Sequence, residues 1–87
     1  MSIKLFLPAS LSYLTKGTDL FEVNGSTVGE CLNQLVSFAP VLKEALFLGN
    51  MLHPTIRVLV NQESEGLQVL AKTLNDGDEI QIKTERH

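Results

Sequence analysis

Leu74-Asn75-Asp76-Gly77-Asp78-Glu79-Ile80-Gln81-Ile82 is the stretch that decides the fold of this 87-residue chain. Asp76-Gly77 is a strong turn dipeptide, because glycine takes φ > 0 without steric cost. Ile80 and Ile82 then alternate with Gln81 and Lys83, so a strand with one apolar face leaves the turn. A tight acidic turn feeding a last strand implies that the sheet closes at this end of the sequence.

Working back, Thr55-Ile56-Arg57-Val58-Leu59-Val60-Asn61 is the clearest strand. Ile56, Val58 and Val60 face one way, Arg57 and Leu59 the other. Before it, residues 51–54 read as a connection and residues 41–47 as a further helical turn or two, closed by Gly49-Asn50. Thr27-Val28-Gly29-Glu30 reads as a capping box. The Thr27 hydroxyl can accept from the Glu30 amide, and the Glu30 carboxylate can reach back to the Thr27 amide. Val28, Cys31, Leu32, Leu35 and Val36 follow on one helical stripe. Pro40 ends that helix, since it lacks an amide and moves Ala39 out of the α region.

At the start, Ile3, Leu5 and Leu7 alternate with Lys4 and Phe6 until Pro8, a first strand. Residues 13–18 read as a loop or turn. Residues 20–23 read as a short second strand, with Phe21 and Val23 on one face, ended by Asn24-Gly25. Residues 63–66 read as a polar loop, and Leu67, Val69 and Leu70 as a short apolar segment or minor strand. The first two strands have a short connection and are expected to pair as a hairpin. One long helix can cover only one face of the sheet, which predicts a two-layer α+β domain spanning residues 1–87. Several small α+β folds share such a string, so the order alone leaves the strand arrangement open.

Composition narrows the function. Apolar content of 44% and charged content of 20% are those of a globular protein. A chain of this size hides roughly 60–65% of its unfolded surface, enough for one core. Net charge is −3, and the seven Lys and Arg are scattered singly. This disfavours nucleic-acid binding, which needs basic runs to neutralise phosphates. No run approaches the ~20 apolar residues of a membrane helix, and the N-terminus does not read as a signal peptide. Cys31 is the single cysteine. Together these favour a cytoplasmic protein with no membrane partner.

The order and spacing of these pieces resemble the MoaD/ThiS family of ubiquitin-like sulfur carriers, including CysO. The resemblance runs over nearly the whole chain: a strand from Ile3, a Thr-capped helix from Thr27, a strand ending Val60-Asn61, and the turn Asp76-Gly77-Asp78-Glu79. It implies a β-grasp (ubiquitin-like) fold, with a mixed four- to five-stranded sheet and one main helix on one face. In that family a C-terminal Gly-Gly is adenylated by a larger enzyme and converted to a thiocarboxylate. This then donates sulfur to molybdopterin, thiazole or cysteine synthesis. Glycine is needed there because only a residue without Cβ lets the tail thread a narrow channel. Here no glycine follows Gly77; Lys83-Thr84-Glu85-Arg86-His87 stands in its place. The expectation is therefore the carrier scaffold, docking as a small subunit on an adenylating enzyme or a synthase large subunit. The alternative is an interaction or regulatory module that has lost thiocarboxylate chemistry. No terminal glycine can be carried over, so the resemblance assigns no catalytic residue.

Other residues point to no chemistry of their own. Cys31 shares its stripe with Val28, Leu32 and Leu35 and reads as core. His53 and His87 have no second ligand at metal spacing. Asp76, Asp78 and Glu79 lack the alternating oxygen set of a calcium loop and read as a solvated turn. No catalytic constellation, metal site or cofactor site is expected, and an independent enzyme is disfavoured. Phe6 and Leu59 differ. They lie on the strand face opposite Ile3, Leu5, Leu7, Ile56, Val58 and Val60, among Lys4, Arg57, Gln81 and Lys83. An apolar centre with a charged rim is the signature of a docking patch, so Phe6, Leu59, Arg57 and Lys83 are the candidate partner-binding residues. A homodimer is the other arrangement that would cover them.

Overall fold

The structure is a computed structural model that describes residues 2–64 and 69–84. β1 (Ser2–Phe6) leads through a short helix α1 (Ala9–Ser12) and a 3₁₀ turn (Tyr13–Thr15) into β2 (Leu20–Asn24). The main helix α2 (Val28–Phe38) is followed by a 3₁₀ turn (Pro40–Leu42) and α3 (Lys43–Leu46). A small hairpin of β3 (Phe47–Leu48) and β4 (Met51–Leu52) precedes β5 (Ile56–Val60) and β6 (Glu63–Ser64). A 3₁₀ turn (Val69–Ala71) and β7 (Glu79–Thr84) complete the order.

The sheet is mixed and five-stranded, in the order β2-β1-β7-β5-β6. β1 and β2 form the expected antiparallel hairpin, with Ile3 opposite Val23 and Leu5 opposite Phe21. β7 runs parallel to β1 and antiparallel to β5, so the last strand becomes the centre of the sheet. Its alternation matches this position: Ile80 and Ile82 are buried, and Glu79, Gln81 and Lys83 are exposed. α2 packs on the inner face through Val28, Cys31, Leu32 and Leu35, all buried. They meet Ile3, Leu5, Val58, Val60, Ile80 and Ile82 in one core. The arrangement is the β-grasp.

The helix starts and stops for the reasons read from the sequence, with one change. The Thr27 hydroxyl accepts from the Glu30 amide at 3.2 Å. The Glu30 carboxylate goes one residue further back, accepting from the amide and hydroxyl of Ser26 at 3.0 Å each. The stretch before the helix is held as well. The Leu74 amide donates to the Ser26 carbonyl, and the Val28 amide to the Lys72 carbonyl. At the other end Ala39 leaves helical geometry, with φ −134° and ψ 79°, and Pro40 begins the next turn.

Three local expectations change. Residues 51–54 are not a plain connection, because Met51–Leu52 pairs back on Phe47–Leu48 around Gly49-Asn50. Residues 13–18, expected as a loop or turn, are a turn. They continue α1 into a 3₁₀ turn that Lys16 (φ 59°) and Gly17 (φ 88°) close in the left-handed region. The minor strand is Glu63–Ser64, read from the sequence as a polar loop, and Val69 and Leu70 lie in a 3₁₀ turn. The reason is the reversal at Asn61-Gln62. Both take φ > 0 and turn the chain directly back along β5. Leu67, Glu85, Arg86 and His87 lie outside the described residues, and with them the expectations for the apolar segment's start and for the tail.

Candidate functional site: the uncovered sheet face

Strand alternation sends one set of side chains to α2 and the other to the opposite face, which no helix among the described residues covers. Register then decides which of the outward residues become neighbours. Phe6 lies opposite Leu20 on β2 and opposite Gln81 on β7. Gln81 in turn lies opposite Leu59, and Leu59 opposite Ser64. Leu20, Phe6, Gln81 and Leu59 therefore form one row across the sheet. Arg57 and Lys83 are direct cross-strand partners beside that row. On its other side Lys4 stands between Glu22 and Glu79. The structure brings together all four sequence-predicted residues, Phe6, Leu59, Arg57 and Lys83.

Two features of this face differ from the expectation. Phe6 and Leu59 are half-buried rather than exposed, because their in-sheet neighbours cover their flanks. Leu20 is the residue that sequence reasoning passed over. It is 47% exposed and extends the row to the sheet edge. The signal was present, since strict alternation from Phe21 and Val23 already puts Leu20 on the outer face. A shallow depression lined by Phe6, Gln62, Glu79 and Gln81 interrupts the surface next to the row.

The electrostatics are uneven. Arg57 and Lys83 place two cations side by side on neighbouring strands. Arg57 also donates to the Ser64 hydroxyl at 3.3 Å. The row thus has a cationic corner at one end and mixed charges around Lys4.

Below the face, the two sequence motifs that carried the family resemblance meet. The Asn61 side chain donates to Asp78 Oδ1 at 3.1 Å and accepts from the Glu79 amide at 3.0 Å. The Asn61 amide donates to the Glu79 carbonyl at 2.8 Å. Asp78 also caps its own turn, its carboxylate accepting from the Asn75 amide at 2.8 Å. These bonds, from the Asn75 amide first and the Asn61 side chain second, hold the Asp78 carboxyl below the usual carboxylate range. Asp76 accepts from the Ser2 amide at 2.6 Å, and the Gly77 amide donates to the Ser2 carbonyl. Val60-Asn61 and Asp76-Gly77-Asp78-Glu79 therefore form a clasp that joins β5, β7 and the first strand. The Asp76 and Asp78 carboxylates act as acceptors in this clasp, and Glu79 joins it through its main chain.

The remaining candidates carry no chemistry here. Cys31 is fully buried, and burial followed by the nearby Glu30 charge pushes its thiol up, away from the thiolate. His53 sits in a turn where Thr55 bonds its Nδ1 through the amide at 3.2 Å and the hydroxyl at 2.8 Å. Among the described residues no group of His, Cys, Asp or Glu could hold a metal ion. None of their helices is long and apolar enough to cross a membrane.

No protein-family model and no curated protein matches the chain. Solved structures do. A chain of the BexX/CysO complex of Amycolatopsis orientalis is 28% identical, with TM-score 0.86 over 98% of this chain and 97% of that one. SAMP1 of Haloferax volcanii is 28% identical, with TM-score 0.87 over 99% of this chain and 97% of that one. Both likenesses run end to end in fold and in sequence. The chain is a ubiquitin-like protein of the MoaD/ThiS/CysO type. This MoaD/ThiS/CysO-type chain is sulfur-carrier-like, and its neighbours are small carriers and modifiers rather than catalytic enzymes. The Helicobacter pylori complex of molybdopterin-converting factor subunits 1 and 2 shares the fold, with 18% identity and TM-score 0.67 over 100% of this chain and 97% of the matched one.

Proposed function

We propose that this protein acts as a small, non-catalytic subunit of sulfur transfer, docked on a larger protein through its uncovered sheet face. The observation that carries the reading is the row Leu20, Phe6, Gln81 and Leu59, with Arg57 and Lys83 paired at its corner. A half-buried apolar centre with a charged rim supplies both desolvation and orientation to an interface. The fitting partner presents an apolar ridge with carboxylates toward Arg57 and Lys83. The solved complex of CysO with BexX supports the reading, since a protein of this type is there held by another protein.

Leu59→Asp puts a charge into the row at its β5 end, beside Gln81, and leaves the inner core intact. It should weaken capture of the partner from the protein's own cells at least tenfold, with an unchanged circular dichroism spectrum. Wild-type capture by a folded Leu59→Asp protein would refute the docking face. Intact mass of the C-terminal peptide from those cells separates the two chemistries. Replacement of one oxygen by sulfur assigns the carrier role, and an unmodified terminus assigns docking alone.

A further inference from the structure

β2 and β6 are the edges of the sheet. β6 is two residues long, which blunts that edge; β2 is five residues long and has no proline, bulge or lysine. Which of its main-chain groups point outward follows from the ladder. The Leu7 amide donates to the Asp19 carbonyl, so Asp19, Phe21 and Val23 bond toward β1. Leu20, Glu22 and Asn24 therefore turn their N–H and C=O groups to the open edge. The Asn24 amide confirms this phase, since it donates outward to the Gln34 side chain from α2.

The open edge is bounded at both ends. Gln34 occupies the Asn24 amide. Thr18, the next outward residue before Leu20, is already satisfied: its amide donates to the Thr15 carbonyl at 3.1 Å, and its carbonyl accepts from the Thr15 hydroxyl at 2.6 Å. Between these caps, Leu20 and Glu22 have no main-chain partner on the outer side among the described residues. The window is centred on Phe21. Beside it, on the helix side of the sheet, lies a groove whose apolar lining includes Leu14, Phe21, Phe38 and Val41, with Lys16 and two threonines also lining it. Phe38 is 62% exposed and Val41 52%.

We infer that this edge is a self-association site, where a second copy adds its β2 antiparallel about a two-fold axis through Phe21. In that register Leu20 pairs with Glu22 of the other copy and Glu22 with Leu20. Each copy's two free N–H groups meet the other's two free C=O groups, and no capped group is disturbed. Phe21 faces Phe21 in a close, non-hydrogen-bonded pair, a favourable cross-strand contact. Phe38 and Val41 of both copies close over it. An axis through Glu22 would set two carboxylates opposite each other and need the Asn24 amide that Gln34 holds. Charge and hydrogen bonding therefore select the Phe21 axis. It is an isologous, closed interface, so it stops at the dimer.

The size of the patch sets its strength. Leu20, Phe38 and Val41 together offer on the order of 300 Å² per copy, taking roughly 150–250 Å² for a whole aromatic side chain and less for the aliphatic ones. A standard interface buries about 800 Å² per partner. The dimer is accordingly weak and reversible, with Kd between ~10 µM and ~1 mM. It would join two sheets edge to edge and set two uncovered faces side by side, presenting two docking faces at once.

Sedimentation of the full chain across ~10 µM to ~1 mM tests this range, together with amide hydrogen exchange at both extremes. The weight-average mass should rise toward the dimer, and the Leu20 and Glu22 amides should become protected as it does. Phe38→Glu, an exposed change outside the core, should weaken association at least tenfold without altering the circular dichroism spectrum. Val41→Lys should do the same. A chain that stays monomeric at the highest concentration overturns the inference. So does a dimer whose Leu20 and Glu22 amides stay unprotected, or a folded Phe38→Glu protein that associates like wild type. Leu59→Asp addresses the other face, so failure of one reading leaves the other standing.

Discussion

Asn61→Ala removes the clasp between β5 and the final turn, and the structure sets its cost. Asn61 has φ 51°, in the left-handed region that asparagine tolerates better than alanine. Its side chain makes two bonds, to Asp78 Oδ1 at 3.1 Å and from the Glu79 amide at 3.0 Å. Each is worth about 0.5–1.5 kcal/mol net. The groups are exposed, so water can replace the lost partner and the lower half of that range applies. Moving alanine into the left-handed region adds about 1 kcal/mol. The sum is about 2–3 kcal/mol, a fall in Tm of roughly 8–24 °C for a domain of this size. Urea and thermal unfolding followed by circular dichroism measure it. Asn61→Gly is the internal control: it loses the same side-chain bonds without the left-handed strain, and should be less damaging by several tenths of a kcal/mol or more. Asp78→Ala in a double-mutant cycle should couple to Asn61→Ala by about 0.5–1 kcal/mol. A loss below about 0.5 kcal/mol for Asn61→Ala, or full additivity with Asp78→Ala, would refute the clasp.

Other outcomes follow from the same geometry. In Gly25→Ala the new Cβ would sit 2.9 Å from Cys31 Sγ and 3.0 Å from both the Cys31 amide nitrogen and Glu30 Cβ. The first turn of α2 cannot yield to it, so urea unfolding should show a loss of about 1–3 kcal/mol. The pH dependence has a definite sign. Asp78 and Glu30 are both held below their ordinary values, Asp78 by the Asn75 amide first and Glu30 by the Ser26 amide first. A carboxyl with a depressed folded-state pKa contributes stability above its unfolded value and loses it as pH falls through the folded one. The unfolding midpoint should therefore be flat near neutrality and decline below about pH 4. Asp78→Asn should flatten that decline, and an unchanged acid limb in the variant would count against the cap. The Leu59→Asp capture experiment completes the set, with docking lost and the fold retained.

Much of the architecture was legible in local pattern. The alternation of Ile80 and Ile82 with Gln81 and Lys83 predicts a strand buried on one side, and the sheet places it so. Thr27 caps α2, Pro40 ends it, and Cys31 is core, each from chemistry within a few residues. The errors fall where distant chain decides. The Glu30 carboxylate chooses Ser26 over Thr27 in a stretch that Leu74 and Lys72 grip from the far end of the chain. Glu63–Ser64 is polar by composition, and it pairs as a strand because Asn61 and Gln62 reverse the chain against β5. Leu20 escaped notice because an exposed edge leucine is a common event in a small domain.

What the sequence by itself determined is the kind of the main elements, β1, β2, α2, β5 and β7, and which of their side chains share a face, since both follow from backbone period and local capping. It also contained both halves of the clasp, Asn61 and Asp78-Glu79, without showing that they meet. Their meeting, and the assembly of Phe6, Gln81 and Leu59 into one row, depend on β7 entering between β1 and β5. No local signal encodes that insertion. It is decided by burial: only with Ile80 and Ile82 at the centre of the sheet does α2 find a continuous apolar floor. The same insertion leaves β2 at the edge, and so sets where Leu20 and Glu22 turn their main chain outward.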